Sequence, residues 1–174
     1  MKRIAFFLAL ATAGFSCNSS SETKEDVNYN TGAAESSAST EATEEVATTE
    51  TSEAVIEIES NDQMKYNLSE IRVKAGQKVK LTLKHVGKLP KASMGHNFVL
   101  LKDGTDIAKF AMAAGQARDS DYIADESSII AHTKIIGGGE SDTIEFDAPA
   151  LGIYDFICSF PGHYAIMKGK FIVE

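Results

Sequence analysis

Lys78-Val79-Lys80-Leu81-Thr82-Leu83-Lys84 alternates polar and aliphatic residues at every step. A period of two puts Val79, Leu81 and Leu83 on one face of an extended chain and the lysines and Thr82 on the other. The segment therefore reads as a strand with one buried and one wet face. Ile56 with Ile58, Ile71 with Val73, Ile144 with Phe146, and Phe171 with Val173 repeat the pattern more briefly. Asn97-Phe98-Val99-Leu100-Leu101 and Gly152-Ile153-Tyr154-Asp155-Phe156 add further extended runs. Turn chemistry separates them at Lys74-Ala75-Gly76-Gln77, Val86-Gly87, Lys102-Asp103-Gly104 and Gly137-Gly138-Gly139. About eight short strands with regular punctuation imply an all-β sandwich or barrel.

One segment departs from that period. Ile107, Phe110, Ala111 and Ala114 fall at i, i+3, i+4 and i+7, the stripe of a short helix. Thr105 or Asp106 can cap its start and Gly115 its end. The spacing places it on the outside of the sandwich, within a long connection from about residue 102 to 130. Met112 is read as packing or exposed, with no role at a metal.

Three regions divide the 174 residues. Met1-Lys2-Arg3 and the apolar run from Ile4 to about Ala13 form a secretory signal over 1–16, too short to span a bilayer. Cleavage after Ser16 makes Cys17 the new N-terminus, which resembles the lipidation site of bacterial lipoproteins. Gly14 and Phe15 depart from that motif, and an ordinary signal-peptidase site also fits. From Asn18 to Glu53 nine acids face Lys24 alone, among Ser, Thr and Ala. Such a stretch cannot bury enough surface to offset its ordering entropy, so 17–53 reads as an acidic tether. Flexible-chain scaling gives it a span of about 30–35 Å. Residues 54–174 form the folded domain and, with 16 acids against 14 bases, are near neutral although the whole chain carries −8. No basic concentration suggests nucleic acid. Of two cysteines, Cys17 belongs to the processing site and Cys158 to a loop discussed next, so no disulfide supports the domain.

That loop reads Cys158-Ser159-Phe160-Pro161-Gly162-His163-Tyr164-Ala165-Ile166-Met167, and Met94-Gly95-His96-Asn97 precedes it by some sixty residues. Spacings of five and four let Cys158, His163 and Met167 fold around one point, with Pro161 and Gly162 permitting the turn. Singly, Cys158 reads as a small buried hydrophobe, His96 as a satisfied strand histidine and Met167 as a gap filler. Jointly, one thiolate, two imidazoles and a weak thioether are the trigonal donor set of blue-copper electron-transfer sites. Zinc is the inorganic rival, but its structural sites use four strong ligands, commonly with more cysteines. A thioether suits Cu(I) better.

Asn61-Asp62-Gln63-Met64, Leu89-Pro90-Lys91, Met94-Gly95-His96-Asn97, Ala131-His132-Thr133-Lys134 and Cys158-Ser159-Phe160-Pro161-Gly162-His163 resemble the azurins, a similarity running from about Val55 to the end. The resemblance implies a Greek-key cupredoxin holding one type 1 copper through His96, Cys158 and His163. Met167 and the Gly95 carbonyl are then the long axial contacts, and Asn97, with Ser159 and Phe160 beside the thiolate, braces the ligand loop. It also implies an exposed edge of His163 ringed by an apolar docking patch of Leu89, Met94, Phe160, Pro161, Ala165 and Ile166. His85 is implied to be partly buried and pH-responsive, although its place at a strand end equally fits a satisfied structural histidine, while His132 reads as a surface residue; neither is assigned to copper. Two departures stand out. Azurins usually carry a disulfide near the start of the domain and often a core tryptophan; this chain has neither, and Phe98 follows His96-Asn97.

The leading function is thus a single-electron carrier, exported and periplasmic, tethered through a lipid on Cys17. It acts as a monomer, docking transiently with redox proteins such as a cytochrome or a copper or haem reductase. A copper storage or delivery protein is the alternative, although that role favours exposed, exchangeable, Met-rich ligands. An enzyme needs a second metal centre, and four histidines leave no spare cluster.

Overall fold

The computed structural model describes residues 52–174. The readings for the signal segment, for Cys17 and for nearly all of the tether lie outside the described residues.

Among the described residues, nine strands form two sheets. The first has the order β2-β1-β4-β7, from β1 (Ala54–Asn61), β2 (Lys65–Tyr66), β4 (Lys78–His85) and β7 (Ser141–Asp147). The second runs β3-β9-β8-β5-β6, from β3 (Glu70–Val73), β5 (Val99–Leu101), β6 (Ile129–His132), β8 (Gly152–Ile157) and β9 (Lys168–Val173). Pairing is antiparallel except for β1 with β4 and β3 with β9. Two sheets of this kind around one core make the expected β-sandwich.

The alternation in β4 sets the register of the first sheet. Leu81 lies opposite Ile56 on one side and Ile144 on the other, and Val79 opposite Phe146. A slip of one residue would turn this whole set toward water. Val79, Leu81 and Leu83 are fully buried with Ile58, Phe98, Leu100, Phe156 and Phe171 between the sheets. The lysines of β4 face outward and meet acids on neighbouring strands: Lys78 with Asp147 at 2.6 Å, Lys80 with Glu145 at 3.1 Å, and Lys84 with Glu57. These exposed pairs contribute on the order of 0–1 kcal/mol each and serve mainly to keep the outer face polar.

The second sheet is covered on both faces at its centre. The helix α1 (Ile107–Ala114) lays Phe110, Ala111 and Ala114 against Val99, Leu101 and Ile157. That is why Val99-Leu100-Leu101 is a continuous apolar run without alternation. Asp106 caps the helix through Lys109 N–H at 3.0 Å, and the Gly115 N–H closes its other end on carbonyls of the last turn. Met112 stands exposed, as read.

Two strands were not anticipated. The two-residue β2 has no period to detect. Strand β6 begins at the end of the stretch read as connection and runs past it, unmarked by any alternation because it too is partly covered on both faces. His132, expected at the surface, is half-buried in β6, with its ring Nδ1 3.1 Å from the Thr133 carbonyl oxygen.

Candidate metal centre

The centre sits at one end of the sandwich, where β8 ends and β9 begins. Cys158 follows β8 directly and Met167 precedes β9 directly. The Cys158 N–H donates to the Met167 carbonyl at 2.9 Å, so the two residues face each other across the mouth of one loop. Inside the loop, His163 N–H bonds the Phe160 carbonyl at 3.0 Å, and Met167 N–H bonds the His163 carbonyl at 2.8 Å. Gly162 holds a φ of 83°, a left-handed turn position that suits a residue without Cβ.

His96 arrives from elsewhere in the chain. It exchanges both backbone hydrogen bonds with Ile136, at 2.9 and 2.8 Å, just before β5 starts. Strand β5 pairs with β8, Val99 opposite Ile157, and this register carries His96 to Cys158. The His96 Nδ1 is 3.8 Å from the Cys158 sulfur and the His163 Nδ1 is 3.6 Å from it. All three donor atoms lie within 4.8 Å of one another. An ion bonding nitrogen at ~2.0–2.1 Å and sulfur at ~2.3 Å with a trigonal angle separates those donors by about 3.8 Å. The donor triangle therefore fits a single ion.

Each ligand is prepared electrically. The His96 Nε2 lies 2.9 Å from the Asn61 carbonyl, which can only accept, so Nε2 carries the hydrogen and Nδ1 keeps its lone pair. Burial lowers the pKa of His96 and of His163 to about 4, so both rings stay neutral and available at ordinary pH. Burial also pushes the Cys158 thiol up to about 12, against the pull of the backbone N–H groups of Asn97 and Phe160. An incoming cation must therefore displace the thiol proton. The Gly95 carbonyl oxygen is 4.0 Å from the Cys158 sulfur.

Gly95 is required for a steric reason of its own. A Cβ there would stand 2.7 Å from the Lys91 carbonyl oxygen, 2.9 Å from Ile135 and 3.0 Å from Phe160. The first of these is backbone and cannot step aside.

The structure brings together His96, Cys158 and His163, with Met167 fully buried at the end of the same loop. The Asn97 side chain hydrogen-bonds to the loop. Its Nδ2 donates to Ser159 Oγ at 2.8 Å and to the Asp121 carbonyl at 2.9 Å, and its Oδ1 accepts the Ser159 N–H at 2.9 Å. The patch residues are unequal: Ile166 is 57% exposed and Leu89 41%, Pro161 and Ala165 are exposed, and Met94 and Phe160 are half-buried. His163 keeps 4% of its surface, a thin edge at the rim.

His85, read as partly buried, is only 2% exposed. It stacks on His96 with ring centroids 4.5 Å apart. Its Nε2 lies 3.1 Å from the Met94 carbonyl and its Nδ1 accepts the Gly87 N–H at 3.1 Å, so neither nitrogen is left for a metal. Sequence reasoning missed three supports. Asn61 acts through its backbone carbonyl, for which no side-chain signal exists. Asp62 accepts the N–H groups of Lys88 and Leu89, at 2.9 and 3.2 Å, and fixes the loop that presents Leu89. Tyr122 packs edge-on against Phe160 at 5.1 Å, and Phe160 lies 4.7 Å from His163. The aromatic character of that wall was visible in the sequence, but its partner, across a long insertion, was not.

A buried cysteine sulfur flanked by two imidazoles at the end of a two-sheet sandwich defines a blue-copper protein of the cupredoxin class. Residues 52–174 match a family model described as copper binding proteins, plastocyanin/azurin family. The chain is 50% identical over 119 residues to Azurin-2 of Alcaligenes xylosoxydans xylosoxydans, covering 64% of this chain and 91% of that protein. It is 47% identical over 117 residues to Outer membrane protein H.8 of Neisseria gonorrhoeae, covering 65% of this chain and 63% of that one. Among solved structures, dithionite-reduced auracyanin from Roseiflexus castenholzii superposes with a TM-score of 0.63 at 40% identity, over 70% of this chain and 97% of that one. The chain belongs to the plastocyanin/azurin family, and its His96–Cys158–His163 group makes it a copper electron carrier with one type 1 site.

Proposed function

We propose that residues 54–174 form a self-contained carrier domain in which His96, Cys158 and His163 are the strong ligands, with Met167 and the Gly95 carbonyl as weak axial contacts. Bound copper supplies a one-electron Cu(II)/Cu(I) couple. The protein's own part is to hold the donors nearly still, so that little rearrangement accompanies the change of valence. His96 is anchored by Asn61, Cys158 by the N–H groups beside it, and His163 by the loop hydrogen bonds. Burial of every donor disfavours the more highly charged Cu(II) state, as does a thioether in the axial position.

Electrons enter and leave, on this reading, through the His163 edge. Leu89, Met94, Phe160, Pro161, Ala165 and Ile166 surround it as a small apolar patch suited to brief docking. The partners are redox proteins such as a cytochrome or a copper or haem reductase, and the carrier works as a monomer without turnover of its own. Its Cys17, lipidated after removal of 1–16, anchors it to a membrane, and 17–53 is the acidic tether. Its likeness to Outer membrane protein H.8 supports an anchored, exported location.

The closed triangle of buried donors carries the proposal. It also speaks against copper storage or delivery, which needs ligands that exchange readily. Absorption and electron paramagnetic resonance spectra of the copper-loaded protein test it. A strong band near 600 nm and repeated oxidation and reduction without loss of metal are expected. Colourless, rapidly exchanging Cu(I) would establish delivery instead, and turnover with nitrite or oxygen would establish an enzyme. Mass spectrometry of the native N-terminus tests the anchor.

A further inference from the structure

Tyr66 is a half-buried ionisable group, packed against the core, that the carrier function leaves unused. It belongs to β2, the short edge strand of the first sheet, and its hydroxyl donates to the backbone carbonyl of Asn97. Its ring packs edge-on against Phe156 at 5.7 Å. Burial holds its phenol well above the ordinary range, and a charge on Cys158 would push it further the same way. Tyr66 thus stays a protonated donor on the Asn97 carbonyl.

The carbonyl it grips lies in an unusual place. Asn97 and Phe98 fall between the His96 bridge and the start of β5, so their backbone groups have no strand partner. Both residues are fully buried. Orphaned backbone groups there would cost the full penalty of desolvation. Two side chains meet the need from opposite sheets. Tyr66 takes the Asn97 carbonyl, and Thr133, just past β6 in the second sheet, accepts the Phe98 N–H on Oγ1 at 2.9 Å. Thr133 also donates its own N–H to the Phe98 carbonyl at 2.9 Å. The Asn97–Phe98 peptide is therefore held at both its polar ends.

We infer that Tyr66 and Thr133 are positioning residues of the metal centre: together they clamp the Asn97–Phe98 peptide and so fix Asn97, whose side chain grips Ser159 next to Cys158 and whose own N–H, on the preceding peptide, faces the sulfur. This rests on the copper-carrier reading above. The consequence follows from the charge on sulfur. A donor aimed at the thiolate withdraws electron density from it and weakens its donation to Cu(II), which raises the reduction potential. Releasing the Asn97–Phe98 peptide lets Asn97 turn about its Cα, which tilts the N–H of the preceding peptide away from the sulfur and lowers the potential. A group that merely satisfied backbone polarity would leave the potential alone and change only stability.

The test compares Tyr66→Phe and Thr133→Val with wild type and with Thr133→Ser, which keeps a hydroxyl. In copper-loaded protein, Tyr66→Phe and Thr133→Val are each expected to shift the Cu(I)-to-Cu(II) affinity ratio about three- to tenfold toward Cu(II). At 59 mV per tenfold this is a fall of about 30–60 mV in midpoint potential. Thr133→Ser should restore the wild-type value. In copper-free protein, amide hydrogen exchange at Asn97 should accelerate in the Phe and Val variants relative to core amides such as Leu81. A lowered melting temperature with unchanged potential overturns the inference, as does unchanged exchange at Asn97. If Tyr66→Phe fails to fold, the near-isosteric Thr133→Val carries the same test. Wild type lacking the blue band would defeat the copper-carrier reading separately, and the exchange measurement would still decide the clamp.

Discussion

Acid should destabilise the copper-free protein more steeply than a domain of this size with surface histidines. His96 and His163 titrate near 4 in the fold against an ordinary 6.5, because burial disfavours their charged forms. Between those values the unfolded chain binds protons that the folded one refuses, so stability is complete above about pH 6.5 and is lost as pH falls toward 4. Integrating one such site gives roughly 2 kcal/mol lost between pH 7 and pH 5, and about 4 kcal/mol for the pair. Against a typical total of about 5–15 kcal/mol this is a large fraction. Urea unfolding of the copper-free protein at pH 7, 6 and 5 measures it directly. His163→Ala should remove about half of the dependence, because one refused proton is then gone. Stability that is flat from pH 7 to 5, or a dependence untouched by His163→Ala, would refute burial as the cause of the lowered pKa values.

Other substitutions separate the parts of the centre. Cys158→Ser should abolish the 600 nm absorption of copper-loaded protein, whereas Met167→Leu should keep the colour and shift the midpoint potential seen by voltammetry. Gly95→Ala forces a Cβ to within 2.7 Å of the Lys91 carbonyl; thermal melting should show a loss of about 1–3 kcal/mol and the absorption band should move. Leu81→Ala opens a void between the sheets and should cost about 2–5 kcal/mol by denaturant unfolding while leaving the blue band in place. Ile166→Asp, at an exposed patch position, should slow electron exchange with a redox partner in stopped-flow mixing without altering the spectrum.

Strands whose two faces meet different solvents were legible without coordinates. In β4 the lysines and the aliphatics announce the wet and dry sides, and the register with β1 and β7 obeys them. The helix α1 was legible for the same reason, since Ile107, Phe110, Ala111 and Ala114 share one side of a turn. The order failed where burial is two-sided or the element is very short. Strands β6 and β2 carry no period, and His132 was consequently placed too far out. His85 offers the clearest contrast. Its sequence position suggests a strand end, but its confinement comes from Met94, Gly87 and His96, which only folding assembles.

Local chemistry therefore belonged to the sequence: which atoms can bind a soft ion, which loop can bend around it, and which strand faces can be hidden. Those are properties of residue type and spacing, and they hold before any packing occurs. Tertiary structure alone decided the rest. His96 meets Cys158 because β5 pairs with β8, the imidazoles lose their protons because the sandwich excludes water, and Tyr66 and Thr133 reach one peptide from different sheets. Each depends on residues distant in the chain sharing a small volume, and no spacing rule along the chain records that distance.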